Sequence, residues 1–362
     1  MSSPREGFAT SLGVVVLALA AVVALTTLAV GRGATPTTST SPPVTTTTVV
    51  RERPQAGWAV ASASGRGVMV DVTTIRVHGA RFRVVRLRAR TTFLRWHVGL
   101  GDPANYALVP LDAGPSIDWP DEGPAGVVAV FNGGFKQAAH AGGAMADGLV
   151  LVAPTPGLMT IALDAAGHWA MGEWGRNFPP IGFHAVSWRQ NLGPLVLNGA
   201  PTAAASGPVG AWGSPLGQVP SEPRTGIGVD RSGNLLYVAT MSAVLPIQLA
   251  TALVRAGAVT AMELDINPYW PILGVPTAER HHPGMPYAIG LAGSEHAATV
   301  YDTGWFRDFF VALAEPTRWT CQWTGPGLHA GAVPQPQRLR RVGVCSPRAP
   351  YVASSAGSFS SR

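Results

Sequence analysis

Residues 223–270, PRTGIGVDRSGNLLYVATMSAVLPIQLATALVRAGAVTAMELDINPYW, carry the reading that decides the fold. Val229 leads into a turn, Asp230-Arg231-Ser232-Gly233-Asn234, and Leu235 to Thr240 is rich in apolar and β-branched residues, so the pair reads as a hairpin. Pro246 suits the first turn of a helix because it lacks an N–H. Ile247, Leu249, Ala250, Leu253 and Val254 then recur at helical spacing until Gly257 stops the run. Ala258 to Leu264 is a short apolar strand that runs into Asp265, with Glu263 two residues earlier on the same side of the pleat. Strand, helix and strand in succession imply a packed crossover. Acids at the mouth of such a strand are where α/β proteins place chemistry, so Arg224, Glu263 and Asp265 are the first site candidates.

Outward from that stretch, the 362-residue chain is long enough for one large domain or two modest ones once its first fifty or so residues are set aside. A hydrophobic share of 46% against 13% charged, with 43 Gly and 32 Pro, describes a loop-rich globular chain with a membrane segment and excludes disorder throughout. The net charge of +6 is carried by arginine, since Lys136 is the only lysine. Coding bias is the first reading of that excess, and attraction to an anionic polymer or phospholipid the second.

Leu12 to Val30 is an uncharged, weakly polar to apolar run close to the ~20 residues that a bilayer-spanning helix needs. A cleaved signal peptide has a shorter apolar region, about 7 to 15 residues, so an uncleaved anchor is predicted over residues 12–30 behind a short cytoplasmic segment, 1–11. Arg5 beside Glu6 and Arg32 beyond the run leave the positive-inside rule nearly silent. Residues 31–55 are a Thr/Ser/Pro-rich linker, an extended stalk of the kind found outside cells, which places the globular part (56–315) on the extracytoplasmic side of the cell membrane. The tail, 316–362, is rich in Trp and Pro and holds both cysteines, Cys321 and Cys345. Outside the cell two thiols pair more often than not, and such a disulfide stabilises by roughly 3 kcal/mol in the loop-entropy picture. Two unlinked thiols are the alternative.

Residues 66–98 read as β-structure, with Arg81, Arg83, Arg86, Arg88 and Arg90 alternating with apolar residues and a phase break at Val84-Val85. A solvated arginine face is the plain reading, an anionic-polymer surface the other. Aromatics and cations do not interleave here as in single-strand grooves, and no nucleic-acid partner is expected. Val127 to Phe131 is a buried-strand run that ends in Asn132-Gly133-Gly134-Phe135-Lys136, an abrupt turn where glycine admits positive φ or close approach. Pro201 to Pro220 is a small-residue loop, read as a surface insertion with a lid as the alternative.

Four segments together resemble the phosphodiester glycosidase family: FNGGF at 131–135, GPLVLNG at 193–199, PRTGIGVDRSGNLL at 223–236 and ELD at 263–265, in that order. The resemblance covers about residues 66–293. It implies an α+β or α/β fold, here a mixed β-sheet domain with few packed helices, and it places Asn132, Gly133, Arg224 and Asp265 on family site positions. The family pattern continues from LD into glycines and a serine, whereas here Leu264-Asp265 is followed by Ile266-Asn267-Pro268-Tyr269-Trp270. Bulky side chains stand where bare backbone is expected.

Cleaving a sugar-1-phosphodiester needs a cation for the phosphate, an acid or base at the anomeric centre or a water, and stabilisation of an oxocarbenium-like transition state. Arg224 can fork onto phosphate, Asp265 or Glu263 can do the proton chemistry, and Asn132 can orient a hydroxyl. These four are the catalytic candidates. Gly133, Gly134, Lys136, Asn267, Tyr269, Trp270 and His281 are the candidate substrate contacts, with Tyr269 and Trp270 stacking on a sugar. No cofactor is called for, although Asp265, Asn267 and Glu263 are oxygen ligands of the type a divalent cation takes. Three roles stay open: a membrane-anchored glycosidase acting on a glycan or sugar-phosphate of the envelope, a non-catalytic carbohydrate-binding protein on the same scaffold, and an envelope-assembly partner.

Overall fold

The computed structural model describes residues 57–104, 114–214, 216–316, 319–323 and 343–347. The expected anchor, the linker and most of the tail lie outside the described residues. Among the described residues no helix is long and apolar enough to cross a membrane.

In chain order the strands are β1 (Ala59–Ser64), β2 (Gly67–Val77), β3 (Ala80–Leu87), β4 (Phe93–His97), β5 (Val127–Asn132), β6 (Ala144–Ala146), β7 (Leu149–Val152), β8 (Met159–Leu163), β9 (Trp169–Glu173) and β10 (Ser187–Gln190). There follow β11 (Val196–Leu197), β12 (Ala200–Pro201), β13 (Glu222–Asp230), β14 (Leu235–Val244), β15 (Ala258–Ile266), β16 (Leu273–Gly274), β17 (Phe309–Leu313), β18 (Trp319–Trp323) and β19 (Gly343–Pro347). The helices are α1 (Trp119–Ala125), α2 (Pro246–Ala256) and α3 (Val300–Thr303). An eight-stranded sheet runs β1-β2-β3-β14-β13-β15-β11-β12, beside a five-stranded sheet, β7-β6-β10-β8-β9, and a four-stranded one, β16-β5-β17-β4.

The structure is mostly β with few helices. The strands of the central sheet pair antiparallel, so α+β fits it better than α/β. The crossover is nevertheless present. β14, α2 and β15 form a strand-helix-strand unit in which β13 is inserted between the two strands, antiparallel to both. α2 begins at Pro246, its N-terminus is tied by Gln248 Oε1 accepting from the Leu245 N–H at 2.9 Å, and it ends at Gly257, whose φ of 110° suits glycine. Its buried stripe, Leu249, Ala250 and Leu253, packs on one face of the large sheet with Ile75, Val84 and Val238. The approach is close at β13. A Cβ on Gly226 would lie 3.2 Å from Leu253 Cδ1 and 2.9 Å from the Met262 carbonyl, which explains glycine in a central strand.

The opposite face of the large sheet contributes Val70, Val85, Tyr237 and Leu264 to a core shared with the two smaller sheets through Phe131, Phe310, Trp96 and Ile161. Val84 and Val85 therefore sit in different cores. The apparent phase break in the arginine strand is a strand covered on both faces, and β3 is continuous across it. At the far end of the chain, β18 and β19 form a two-stranded ribbon in which Cys321 and Cys345 occupy paired positions.

Candidate active site

β15 delivers Glu263 and Asp265 to one end of the large sheet, and the two acids have different surroundings. Glu263 is fully buried behind the site, where its Oε1 accepts from Arg224 Nη1 at 2.6 Å. Arg224 is itself fully buried, and three further N–H groups go to carbonyls of Val244, Trp212 and Pro220. Asp265 pairs instead with Arg307, whose Nη2 donates to Oδ2 at 2.5 Å. The expectation that Arg224 forks onto a phosphate is thus corrected. Arg224 is closed in by protein, cannot reach a phosphate, and serves to hold β15 against β13. Burial pushes both carboxyls up to about 7, opposed by Arg224 for Glu263 and by Arg307 for Asp265.

A hollow of about 320 Å³ opens at this end of the sheet, lined by Asp265, Arg307, Lys136, Asn267, Tyr269 and Trp270, with Phe135, Ser214 and Leu216 also in its wall. Five expected site residues therefore meet there. Lys136 Nζ lies 5.5 Å and the Arg307 guanidinium 5.0 Å from the Trp270 ring centre, so one aromatic ring carries two cations. Tyr269 is 47% exposed at the rim. Asn267 takes a left-handed φ of 72°, and its Oδ1 accepts from the Tyr269 N–H, which turns the chain without a glycine.

Asn132, Gly133 and Gly134 lie behind this wall. Asn132 is buried. It donates to Thr225 Oγ1 at 2.9 Å, Thr225 donates on to the Asp265 carbonyl at 2.7 Å, and Asn132 Oδ1 accepts from the Tyr237 hydroxyl at 2.8 Å. It positions the backbone of Asp265 rather than a substrate hydroxyl. The Gly133 carbonyl accepts from the Asp265 N–H at 3.0 Å, which ties the end of β5 to β15. Neither Gly133 nor Gly134 has positive φ, and their reason is close approach. A Cβ on Gly133 would stand 2.3 Å from Asp308 Oδ2, and one on Gly134 would stand 3.0 Å from Asn191 Oδ1.

His281 is not brought to the hollow. It is exposed and its Nδ1 lies 2.8 Å from the Gly123 carbonyl, next to α1. The oxygen set considered for a divalent cation is not assembled either, because Glu263 is engaged by Arg224. Among the described residues no group of three or more His, Cys, Asp or Glu is placed to hold a metal.

Sequence reasoning missed Arg307, Asp308 and Arg189. Asp308 Oδ2 accepts from Arg189 Nε at 2.9 Å, from the Trp96 indole at 3.0 Å and from the Gly134 N–H at 3.2 Å, and all three charged groups are buried. Arg307 also donates to the Gly134 carbonyl at 2.9 Å. The signal was present. Arg307-Asp308 is a charged pair at the mouth of the buried strand β17, the same pattern that singled out Asp265 on β15. The loop 201–220 is also more than an insertion: Trp212 is buried with its carbonyl on Arg224, and Ser214 and Leu216 wall the hollow.

Residues 125–265 match the family model described as phosphodiester glycosidase. The matched interval runs from the last residue of α1 to Asp265, so it contains Asn132, Arg224 and Glu263 and stops short of Trp270 and Arg307. The chain is similar to the zebrafish N-acetylglucosamine-1-phosphodiester alpha-N-acetylglucosaminidase catalytic domain auto-inhibited by pro-peptide, at 11% identity over 71% of this chain and 87% of that one, with a TM-score of 0.44. It is also similar to a hypothetical protein from Synechocystis, at 11% identity over 67% of this chain and 61% of that one, with a TM-score of 0.35. No curated protein matches.

Proposed function

We propose that this chain, whose residues 125–265 match the phosphodiester glycosidase model, hydrolyses a sugar-1-phosphodiester at the hollow headed by Asp265. The observation that carries the reading is the convergence of one carboxyl, two cations and an aromatic face on a single opening. Arg307 and Lys136 take the phosphate, Trp270 and Tyr269 flank the sugar, and Asp265 acts at the anomeric centre. The departing group is a phosphate monoester, a weak base near neutrality that leaves without a proton. The carboxylate is therefore assigned to water, as the base that takes its proton while the oxygen attacks the anomeric carbon. Both Asp265 oxygens accept from the protein, Oδ1 from the Ile266 N–H and Oδ2 from Arg307, which fixes the carboxylate plane and leaves each oxygen a further lone pair. Glu263, Arg224 and Asn132 are positioning residues for β15.

The substrate is proposed to be an envelope glycan, reached by a domain held outside the cell membrane through residues 12–30 and the Thr/Ser/Pro-rich linker. Support comes from the apolar run and the stalk composition. A Cys321–Cys345 disulfide closing the tail is part of the same proposal, and the paired register of the two cysteines favours it. A non-catalytic sugar-phosphate binder is the second reading, favoured by the exposed Tyr269 and by the sealing of Arg224 and Glu263 away from the hollow. Incubation of the chain with sugar-1-phosphate methyl diesters separates the two. Release of free sugar by the wild type but not by Asp265→Asn supports catalysis, and saturable binding without release in both supports the binder.

A further inference from the structure

A second opening of about 450 Å³, larger than the hollow at Asp265, lies on the large sheet between β2, β3 and the end of β14, walled by the chain at Gly290–Ala292. Arg81, Arg83, Thr74 and Ser242 line it, and no carboxylate does. Arg81 and Arg83 stand two residues apart on one strand, so their guanidinium groups project from the same face. Further along the chain, Arg86 and Arg88 share one carboxylate, Asp71, at 3.1 and 2.5 Å. Among the described residues Arg81 and Arg83 have no such partner. A pair of unpaired guanidinium forks flanked by hydroxyls in a concave surface is built for an oxyanion.

Its place relative to the hollow is set by the sheet. Ile266, next to Asp265, pairs with Arg224, Arg224 pairs with Thr240, and Thr240 Oγ1 donates to the Arg81 carbonyl at 2.7 Å. The two openings are therefore at the same end of the sheet, three strand spacings apart, roughly 14 Å. The chain that walls the groove is fixed to the rim of the hollow: Ser294 Oγ donates at 2.6 Å to the carbonyl of Pro271, the residue after Trp270.

We propose that the groove at Arg81 and Arg83 is a second anion subsite, which holds a neighbouring phosphate of a phosphodiester-linked glycan whose scissile linkage lies at Asp265. The identity of this ligand rests on the catalytic reading above. A polymer with one charged linkage per repeat engages both openings at once, and a single-linkage compound engages one, so the gain is an effective-concentration effect.

The test is calorimetric binding to the full chain carrying Asp265→Asn, which removes turnover from the measurement. The probes are a phosphodiester-linked sugar trimer and the corresponding single-linkage methyl diester. The trimer is expected to bind more tightly, and Arg81→Ala with Arg83→Ala is expected to cut that advantage about tenfold, with Arg81→Lys and Arg83→Lys retaining most of it. An unchanged trimer advantage in the double alanine variant overturns the subsite, as does a trimer that binds no better than the methyl diester to the parent. Hydrolysis of the methyl diester by the wild type is read separately, so failure of the catalytic assignment and failure of the subsite are distinguished. The unfolding midpoint of the double variant, expected to match its parent, confirms that the groove arginines act on the ligand and not on the fold.

Discussion

Arg307 Nη2 sits 2.5 Å from Asp265 Oδ2, and both residues are almost fully buried while still forming part of the wall of the hollow. The pair joins β17 to β15, two strands from different sheets. The same guanidinium also holds the Gly134 carbonyl and lies against Trp270. A cation so placed orients the carboxylate and remains at the opening where a phosphate arrives.

Replacing Asp265 by Asn keeps the shape of the side chain and removes its basicity. Turnover of a sugar-1-phosphodiester is expected to fall about 10²- to 10⁴-fold, with KM changed far less. Steady-state kinetics on both proteins measure this. Equal loss in KM and none in kcat would move Asp265 from chemistry to binding.

The pH dependence follows from the raised carboxyl. Burial lifts Asp265 from 3.8 to about 7, so the base is protonated and inactive on the acid side, and kcat is expected to rise with pH through about 7. Stability moves the other way. A carboxyl whose folded value is raised contributes stability that is present below 3.8 and lost as pH rises towards about 7. Glu263, lifted from 4.5 to about 7, acts in the same sense. Thermal melts at pH 5 and pH 8 should show a stability difference in the wild type that shrinks in Asp265→Asn and in Glu263→Gln.

Arg224 is a structural cation, so its removal is a stability experiment. Arg224→Ala strands the Glu263 carboxylate in a dry core and is expected to cost about 3 to 5 kcal/mol. Replacing both partners with methionine should recover most of that loss. Denaturant unfolding of the single and double variants decides, and a double variant no better than the single contradicts the assignment.

Gly133→Ala places a methyl 2.3 Å from Asp308 Oδ2, against a side chain held by Arg189 and Trp96. A loss of about 1 to 3 kcal/mol is expected from overpacking, with Gly134→Ala milder because its nearest neighbour is 3.0 Å away. Unfolding midpoints of the two variants give the order.

Much of this was legible in the chain itself. The hairpin at Asp230–Asn234, the helix from Pro246 to Gly257 and the strand ending at Asp265 follow local rules of turn chemistry and periodicity, and they are present as expected. Five of the residues around the hollow follow as well, since they stand within a few positions of two strand ends. What the sequence did not disclose is partnership. Which arginine meets which acid depends on the pairing of β15 with β13 and of β17 with β5, and those contacts are 39 and 42 residues apart for the two ion pairs. The glycines after Asn132 allow either a positive φ or a close approach, and local sequence does not say which; the group that approaches them is Asp308, 174 positions beyond Gly134.

The bond that breaks is the most direct test. Turnover of a sugar-1-phosphate methyl diester in heavy-oxygen water, with mass analysis of both products, reports where water attacks. Attack at the anomeric carbon puts the label in the free sugar and none in the phosphate ester, and Asp265→Asn shows neither product above background. Label in the phosphate product, or equal turnover by the wild type and Asp265→Asn, would contradict a glycosidase with Asp265 as its base.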